Sequence, residues 1–136
     1  MRLLPLAALP LLATACVFPT HQASKVVELS LPVGQLRRLQ CESHNGGITV
    51  TGAPDATEIA LRAELSVRGT SQAEADANLN LMEVGREENG DLLRLFGKHP
   101  VGELNNRSPN YRFILRVPAT MALQLESHNG DVSATG

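Results

Sequence analysis

Two stretches of this chain are near copies of each other. Residues 39–52 read LQCESHNGGITVTG and residues 123–136 read LQLESHNGDVSATG, so the Leu-Gln, Glu-Ser-His-Asn-Gly and final Thr-Gly positions are identical. Where the copies differ the replacements are mostly similar in kind: Ile48 corresponds to Val132, and Thr49 to Ser133. Self-similarity of this density indicates a repeated supersecondary unit.

Each copy predicts two short strands joined by a turn. Leu39 and Cys41 alternate with polar residues, as do Leu123 and Leu125 in the second copy, which is the pattern of a half-buried strand. Asn-Gly follows, and both residue types tolerate the positive φ of a tight turn. A second alternating run then ends at glycine. The repeat therefore predicts strand, Asn-Gly turn, strand.

The segment between the copies predicts further strands and one helix. Apolar residues alternate with mostly charged ones from Ile59 to Val67, and with Arg112, Ile114 and Arg116 from Tyr111 to Val117. Residues 25–31 and 91–96 predict shorter strands, residues 87–91 a hairpin turn and residues 98–110 a loop. Thr70 to Met82 predicts the helix, with Thr70 or Ser71 as N-cap and Glu74 near the capping-box position. The predicted fold is mainly β: a β-solenoid-like or stacked short-strand module with Asn-Gly turns and one short helix.

The first fifteen residues have the anatomy of a signal peptide. Arg2 supplies a positive start, residues 3–12 are apolar, and Ala13-Thr14-Ala15 is a small-residue cleavage site. The apolar run is far shorter than the ~20 residues that a membrane-spanning helix needs. Cys16 then follows a bacterial lipobox-like segment, although Ala13 stands where leucine is usual. We expect Cys16 to be acylated, with a palmitate-type lipid anchor, and an ordinary cleavage after Ala15 is the alternative.

These boundaries divide the chain into three parts. We expect the signal peptide over residues 1–15, a tether from the lipidated Cys16 over residues 16–24, and a β-rich domain over residues 25–136. Val17 after Cys16 is not the Asp that retains bacterial lipoproteins at the inner membrane. The expected location is therefore the cell envelope, on the outer membrane.

Composition argues against two classes of binding protein. Lys and Arg number 12 against 14 Asp and Glu, without the basic cluster of a nucleic-acid binder. With no Trp, one Tyr and three Phe, the chain also offers few rings for stacking sugars or bases. We therefore expect a protein or surface partner and an aliphatic core, and no nucleic acid.

The whole pattern resembles the putative-adhesin domains of bacterial envelope proteins, a family of unknown function with a β-solenoid-like fold. The resemblance covers nearly all of the chain from about Lys25, and it rests on these segments: Leu31-Pro32, residues 45–52, residues 59–67, the Ala/Glu-rich helix, Tyr111–Pro118 and residues 129–136. It implies a stack of short strands whose rungs end in Asn-Gly turns, and no catalytic residues. Members usually continue with further rungs, so we expect a chain truncated at its C-terminus or one whose edge a partner closes.

The paired Glu-Ser-His-Asn-Gly segments are the candidate site. If the copies stack in register, His44 lies near His128, with Glu42 and Glu126 two positions away on the same face. Imidazoles and carboxylates bind Zn²⁺ or Cu²⁺, so a metal-binding or metal-sensing periplasmic module is the alternative function.

A hydrolase using Ser43-His44 or Ser127-His128 is a third hypothesis. Adjacent strand residues point to opposite faces, which separates a nucleophile from its base. We therefore expect no enzyme, no catalytic residue and no required cofactor. The leading hypothesis is a non-catalytic envelope lipoprotein for adhesion, scaffolding or partner binding.

Five other residues that bear chemistry have structural interpretations. Cys41 matches Leu125 in the repeat, which favours a small buried residue without a disulfide. His21 and His99 fall in the predicted tether and loop, where we expect solvent exposure. Arg112 and Arg116 would share a strand face, and we expect that face to be solvated.

Overall fold

The computed structural model describes residues 19–136, and the predicted signal peptide and Cys16 lie outside them. Over this range the mainly β prediction is confirmed, with nine strands and one helix. In chain order these are β1 (His21–Pro32), β2 (Arg38–Asn45), β3 (Ile48–Ala53), β4 (Glu58–Gly69), α1 (Gln72–Asn80), β5 (Glu83–Asn89), β6 (Leu92–Lys98), β7 (Asn110–Pro118), β8 (Ala122–Asn129) and β9 (Val132–Thr135).

The strands form two open sheets. The five-stranded sheet has the order β1-β4-β7-β3-β9, and the four-stranded sheet has the order β5-β6-β2-β8. Each repeat copy gives one strand to each sheet, and its Asn-Gly turn is the corner between them. We call β2–β3 the first rung and β8–β9 the second rung.

The two rungs stack in register through parallel pairing. Leu39 lies opposite Leu123, Ser43 opposite Ser127 and Asn45 opposite Asn129. The second strands continue the match, with Ile48 opposite Val132. The first rung also pairs on its other side, β2 with β6 and β3 with β7, and both pairings are parallel. The identical residues of the repeat therefore form ladders across the strands.

The core lies between the two sheets and is mostly aliphatic. Alternation along β4 and β7 turns one side chain in two inward, as predicted, and Arg112 and Arg116 point outward to solvent. Cys41 is fully buried as a free thiol, and burial raises its pKa to about 12. Among the largest buried side chains are Leu39, Ile48, Ile59, Leu65, Leu93, Leu95, Phe113 and Leu115.

Two strands differ from the sequence prediction. β1 begins at His21, so residues 21–24 of the predicted tether belong to a strand; they pair with β4, and Ala23 is buried. β5 was not predicted, because its sequence EVGREEN has little apolar alternation. It forms as an edge strand because β6 supplies its backbone partners antiparallel.

The helix begins at the predicted capping box. Ser71 is the N-cap and accepts from the Glu74 backbone N–H at 3.1 Å. The Glu74 carboxylate accepts from the Thr70 backbone N–H and hydroxyl, and also from Arg107. Helix α1 is nine residues long, and in the range 19–136 no helix has the length and apolarity to cross a membrane.

Candidate functional site

The candidate residues lie on the outer face of the four-stranded sheet. Strand alternation buries Leu39, Cys41 and Ser43 and turns Glu42 and His44 outward. Register stacking then places the second rung's Glu126 and His128 beside them. A shallow groove on this face is lined by Glu42, Ser43, His44, Arg94, Phe96, Gly97, Glu126 and His128.

The two histidines are close neighbours, as the repeat predicted. The ring centroids of His44 and His128 are 5.1 Å apart, with 50° between the ring planes. Nε2 of His128 lies 3.8 Å from a carboxylate oxygen of Glu126. Both rings are exposed. The structure therefore brings all four predicted site residues to one groove, and short distances link three of them: His44 to His128, and His128 to Glu126.

Glu42, the fourth, is engaged elsewhere. Its carboxylate accepts from Arg94 at 3.2 Å and from the Gln40 side chain at 2.6 Å. Arg94 also donates to Glu87 at 3.0 Å, and its guanidinium lies 4.4 Å from the centre of the Phe96 ring. Hydrogen bonds to Glu87 and then Glu42 raise the pKa of Arg94. This arginine was not anticipated, since no local pattern shows that β6 lies beside β2.

Within residues 19–136 no group of three or more His, Cys, Asp or Glu side chains has the arrangement of a metal site. Any ion on this face would therefore rest on fewer protein ligands than the predicted four.

The serines of the repeat hydrogen-bond to the backbone. Ser43 is buried, and its hydroxyl donates to the Tyr111 carbonyl at 2.7 Å. Ser127 donates in the same way to the Gly46 carbonyl at 2.8 Å. Both hydroxyls thus donate to backbone carbonyls and not to His44 or His128, so the geometry gives the hydrolase hypothesis no nucleophile–base pair.

His99 is not the free loop residue that the sequence predicted. It is half-buried, and its ring stacks on Tyr111 with centroids 5.9 Å apart. The Tyr111 hydroxyl donates to the Lys98 carbonyl, so His99 Nδ1, at 2.9 Å, carries the proton of their shared hydrogen bond. Burial lowers the pKa of His99, and nearby His44 contributes to the shift.

Glycine at the turn permits the close stacking of the rungs. Gly46 has a φ of 124°, and a side chain there would overlap the Tyr111 carbonyl. The Gly46 N–H donates to the Asn129 carbonyl at 2.8 Å, and the Asn129 side-chain amide donates to Asn45 at 2.8 Å. The corner of each rung is therefore held to the next by backbone and side-chain bonds.

The second rung forms one edge of each sheet. Within the described residues, β8 and β9 each pair on one side only. Its inward positions are uncovered: Val132 is 43% exposed whereas its counterpart Ile48 is 0% exposed, and Leu123 is 38% exposed. The same residue pattern is therefore buried in the first rung and accessible in the second.

Two solved structures are similar to this chain. A putative cell adhesion protein from Clostridium sporogenes is 10% identical with a TM-score of 0.47, over 82% of this chain and 51% of that one. A putative adhesin from Bacteroides fragilis is 17% identical with a TM-score of 0.39, over 79% and 42%. The chain thus spans about half the length of the structures it matches. No family model and no curated protein sequence matches it.

Proposed function

We propose that this chain is a non-catalytic module of the bacterial cell envelope that binds a protein partner at its second rung. In this proposal the chain is exported, carries acyl groups on Cys16 and is anchored by them to the outer membrane. Its two sheets form a β-solenoid-like stack, and a partner extends that stack by adding strands to β8 and β9. The observation that carries the proposal is the second rung, whose strands pair on one side only within residues 19–136 and whose Val132 and Leu123 are partly exposed there.

The other two sheet edges have features that discourage strand addition. Charged residues crowd β5, including Glu83, Arg86 and Glu88. Strand β1 carries Lys25 and Glu28 and ends at Pro32, which has no N–H to donate. Such charges and prolines are the usual protection of an edge.

The second rung has much less of this protection. Its β9 strand is Val-Ser-Ala-Thr, without charge or proline, and β8 carries one carboxylate, Glu126, beside His128. A strand laid on this edge would gain main-chain hydrogen bonds in both sheets. It would also cover Leu123 and Val132. Burying each side chain would contribute on the order of 1 kcal/mol to the binding free energy, because both are already partly buried. The first rung already has this arrangement, since β2 and β3 pair in parallel with β8 and β9 of the second rung.

Export and anchoring rest on the leader sequence. The first experiment is intact-mass measurement and membrane fractionation of the full-length protein beside a Cys16→Ala variant. A membrane-bound wild type with acyl mass and a released or unprocessed variant are expected. A product cleaved after Ala15 without lipid would overturn the anchor and leave partner binding to be judged by the second experiment.

The second experiment tests the open rung in cells that make the full-length protein. A photo-crosslinking residue replaces Val132, and in a matched variant it replaces exposed Glu88 on the β5 edge. A crosslinked adduct with another protein is expected at position 132 and not at position 88. Adducts of equal yield at both positions, none at position 132, or a product of twice the chain's mass would each contradict the proposal.

A further inference from the structure

The outer face of the four-stranded sheet carries two imidazoles that successive rungs hold side by side. We propose that His44 and His128 chelate one divalent transition-metal ion, with Cu²⁺ preferred over Ni²⁺ and Zn²⁺. Glu126 lies beside the pair, and water fills the remaining coordination positions. This binding is additional to partner binding at the open rung and does not depend on it.

The spacing of the rings fits a shared ion. An imidazole nitrogen binds such a metal at ~2.0–2.1 Å, which places the ring centre roughly 3 Å from the ion. Two rings on adjacent positions of one ion therefore have centres roughly 4.5 Å apart at the 90° angle of tetragonal Cu²⁺ and about 5 Å apart at a tetrahedral angle. The observed separation is 5.1 Å, with 50° between the ring planes. Side-chain rotation is then enough to aim both rings at one ion.

The backbone on each side of the pair is fixed, so metal binding need not order it. Ser43 and Ser127, which directly precede the two histidines, lie in register, and each hydroxyl donates a hydrogen bond to a backbone carbonyl. After them, Asn129 donates to Asn45 at 2.8 Å. A pre-organised pair loses less entropy on binding than two free side chains would.

The charges around the pair favour a cation. Glu126 approaches His128 to 3.8 Å and brings a negative charge to the same side of the ring. The positive charge of Arg94 is neutralised by Glu42 and Glu87, at 3.2 and 3.0 Å. Within residues 19–136 the carboxylate of Glu126 pairs with His128 and with no arginine. Its negative charge therefore favours the binding of a cation beside the two rings.

The ligand set also determines which ion binds and how tightly. Imidazole nitrogens suit copper, nickel and zinc, whereas Mg²⁺ and Ca²⁺ prefer oxygen ligands. Affinity among the divalent ions rises to Cu²⁺ along the Irving–Williams series. Because two histidines with water are fewer ligands than a structural zinc site has, we expect micromolar and exchangeable binding, on the order of 1–100 μM.

The test is titration of the tag-free protein with CuCl₂ by isothermal calorimetry, with the copper EPR spectrum recorded at saturation. One ion per chain and a spectrum showing two imidazole nitrogens are expected. His44→Asn and His128→Asn should each weaken binding at least about tenfold, and Glu126→Gln less. His21→Asn is the matched control, since His21 is exposed on β1 in the other sheet.

Two results would overturn the assignment. One is copper binding whose affinity and spectrum survive in the double variant H44N/H128N. The other is the lack of saturable binding below millimolar copper in the wild type. All three site residues are exposed, so their replacement should leave the fold intact, and circular dichroism of each variant checks this.

Discussion

Ile48 and Val132 occupy the same position in two stacked rungs, yet the first is fully buried and the second is 43% exposed. The difference arises from position in the stack and not from sequence. The first rung is covered by β6 and β7 on one side and by the second rung on the other. Among the described residues, 19–136, the second rung has a strand neighbour on one side only.

This relationship predicts unequal costs for truncating the two side chains. Ile48→Ala should lower the free energy of unfolding by about 2–5 kcal/mol, because it leaves a cavity in a packed core. Val132→Ala should cost at most about 1 kcal/mol, since much of the side chain already contacts water. Urea unfolding followed by far-ultraviolet circular dichroism measures both. Equal losses would mean that the second rung is covered in solution.

The hydroxyls of the repeat predict a similar asymmetry. Ser43→Ala removes a buried donor and leaves the Tyr111 carbonyl without it, at a cost of about 1–2 kcal/mol. Ser127→Ala removes the equivalent bond to Gly46 at the open end, where water can replace the hydroxyl, and should cost less than about 1 kcal/mol. The same unfolding measurement compares them, and a larger loss for Ser127→Ala would contradict the stacking order.

Local sequence patterns predicted most of the elements. Alternation predicted β4 and β7, and the capping residues predicted α1 to within two residues. The repeat predicted that His44 would meet His128, because identical strands in register bring identical side chains together. The pairing of the first rung with strands distant in the sequence was not predictable from local patterns. Strand β6 pairs with β2 because of the overall course of the chain, and this pairing brings Arg94 to Glu42.

Other features depend on tertiary contacts. Strand β5 has a charged sequence and forms because β6 offers it a backbone partner. His99 belongs to a segment of turn-forming residues, and its contact with Tyr111 arises because the loop folds back over β7. The open edge is also a property of the assembled stack, since the two copies of the repeat look alike in the sequence.

The Cys41 thiol should be inert in the folded protein. It is fully buried, and burial raises its pKa to about 12, so the reactive thiolate is scarce at neutral pH. In a Cys16→Ala background, Cys41 should react with a thiol reagent at pH 8 at least about 100-fold more slowly in the native state than in urea. Fast native labelling would show that the core between the sheets opens readily.

The capping carboxylate of Glu74 predicts how acid weakens the fold. Hydrogen bonds from Thr70 and then Arg107 lower the pKa of Glu74 from 4.5 to about 2 in the folded state. A lowered folded pKa stabilises the protein above pH 4.5, and this contribution is lost as the pH falls from 4.5 towards 2. The melting temperature of Glu74→Gln should therefore be lower than that of the wild type at pH 6–7 by a few degrees, and the gap should close near pH 2. Glu88→Gln, at an exposed position on β5, is the control and should show little difference at any pH. A gap for Glu74→Gln that stays constant down to pH 2 would mean that the charge of Glu74 does not stabilise the start of α1.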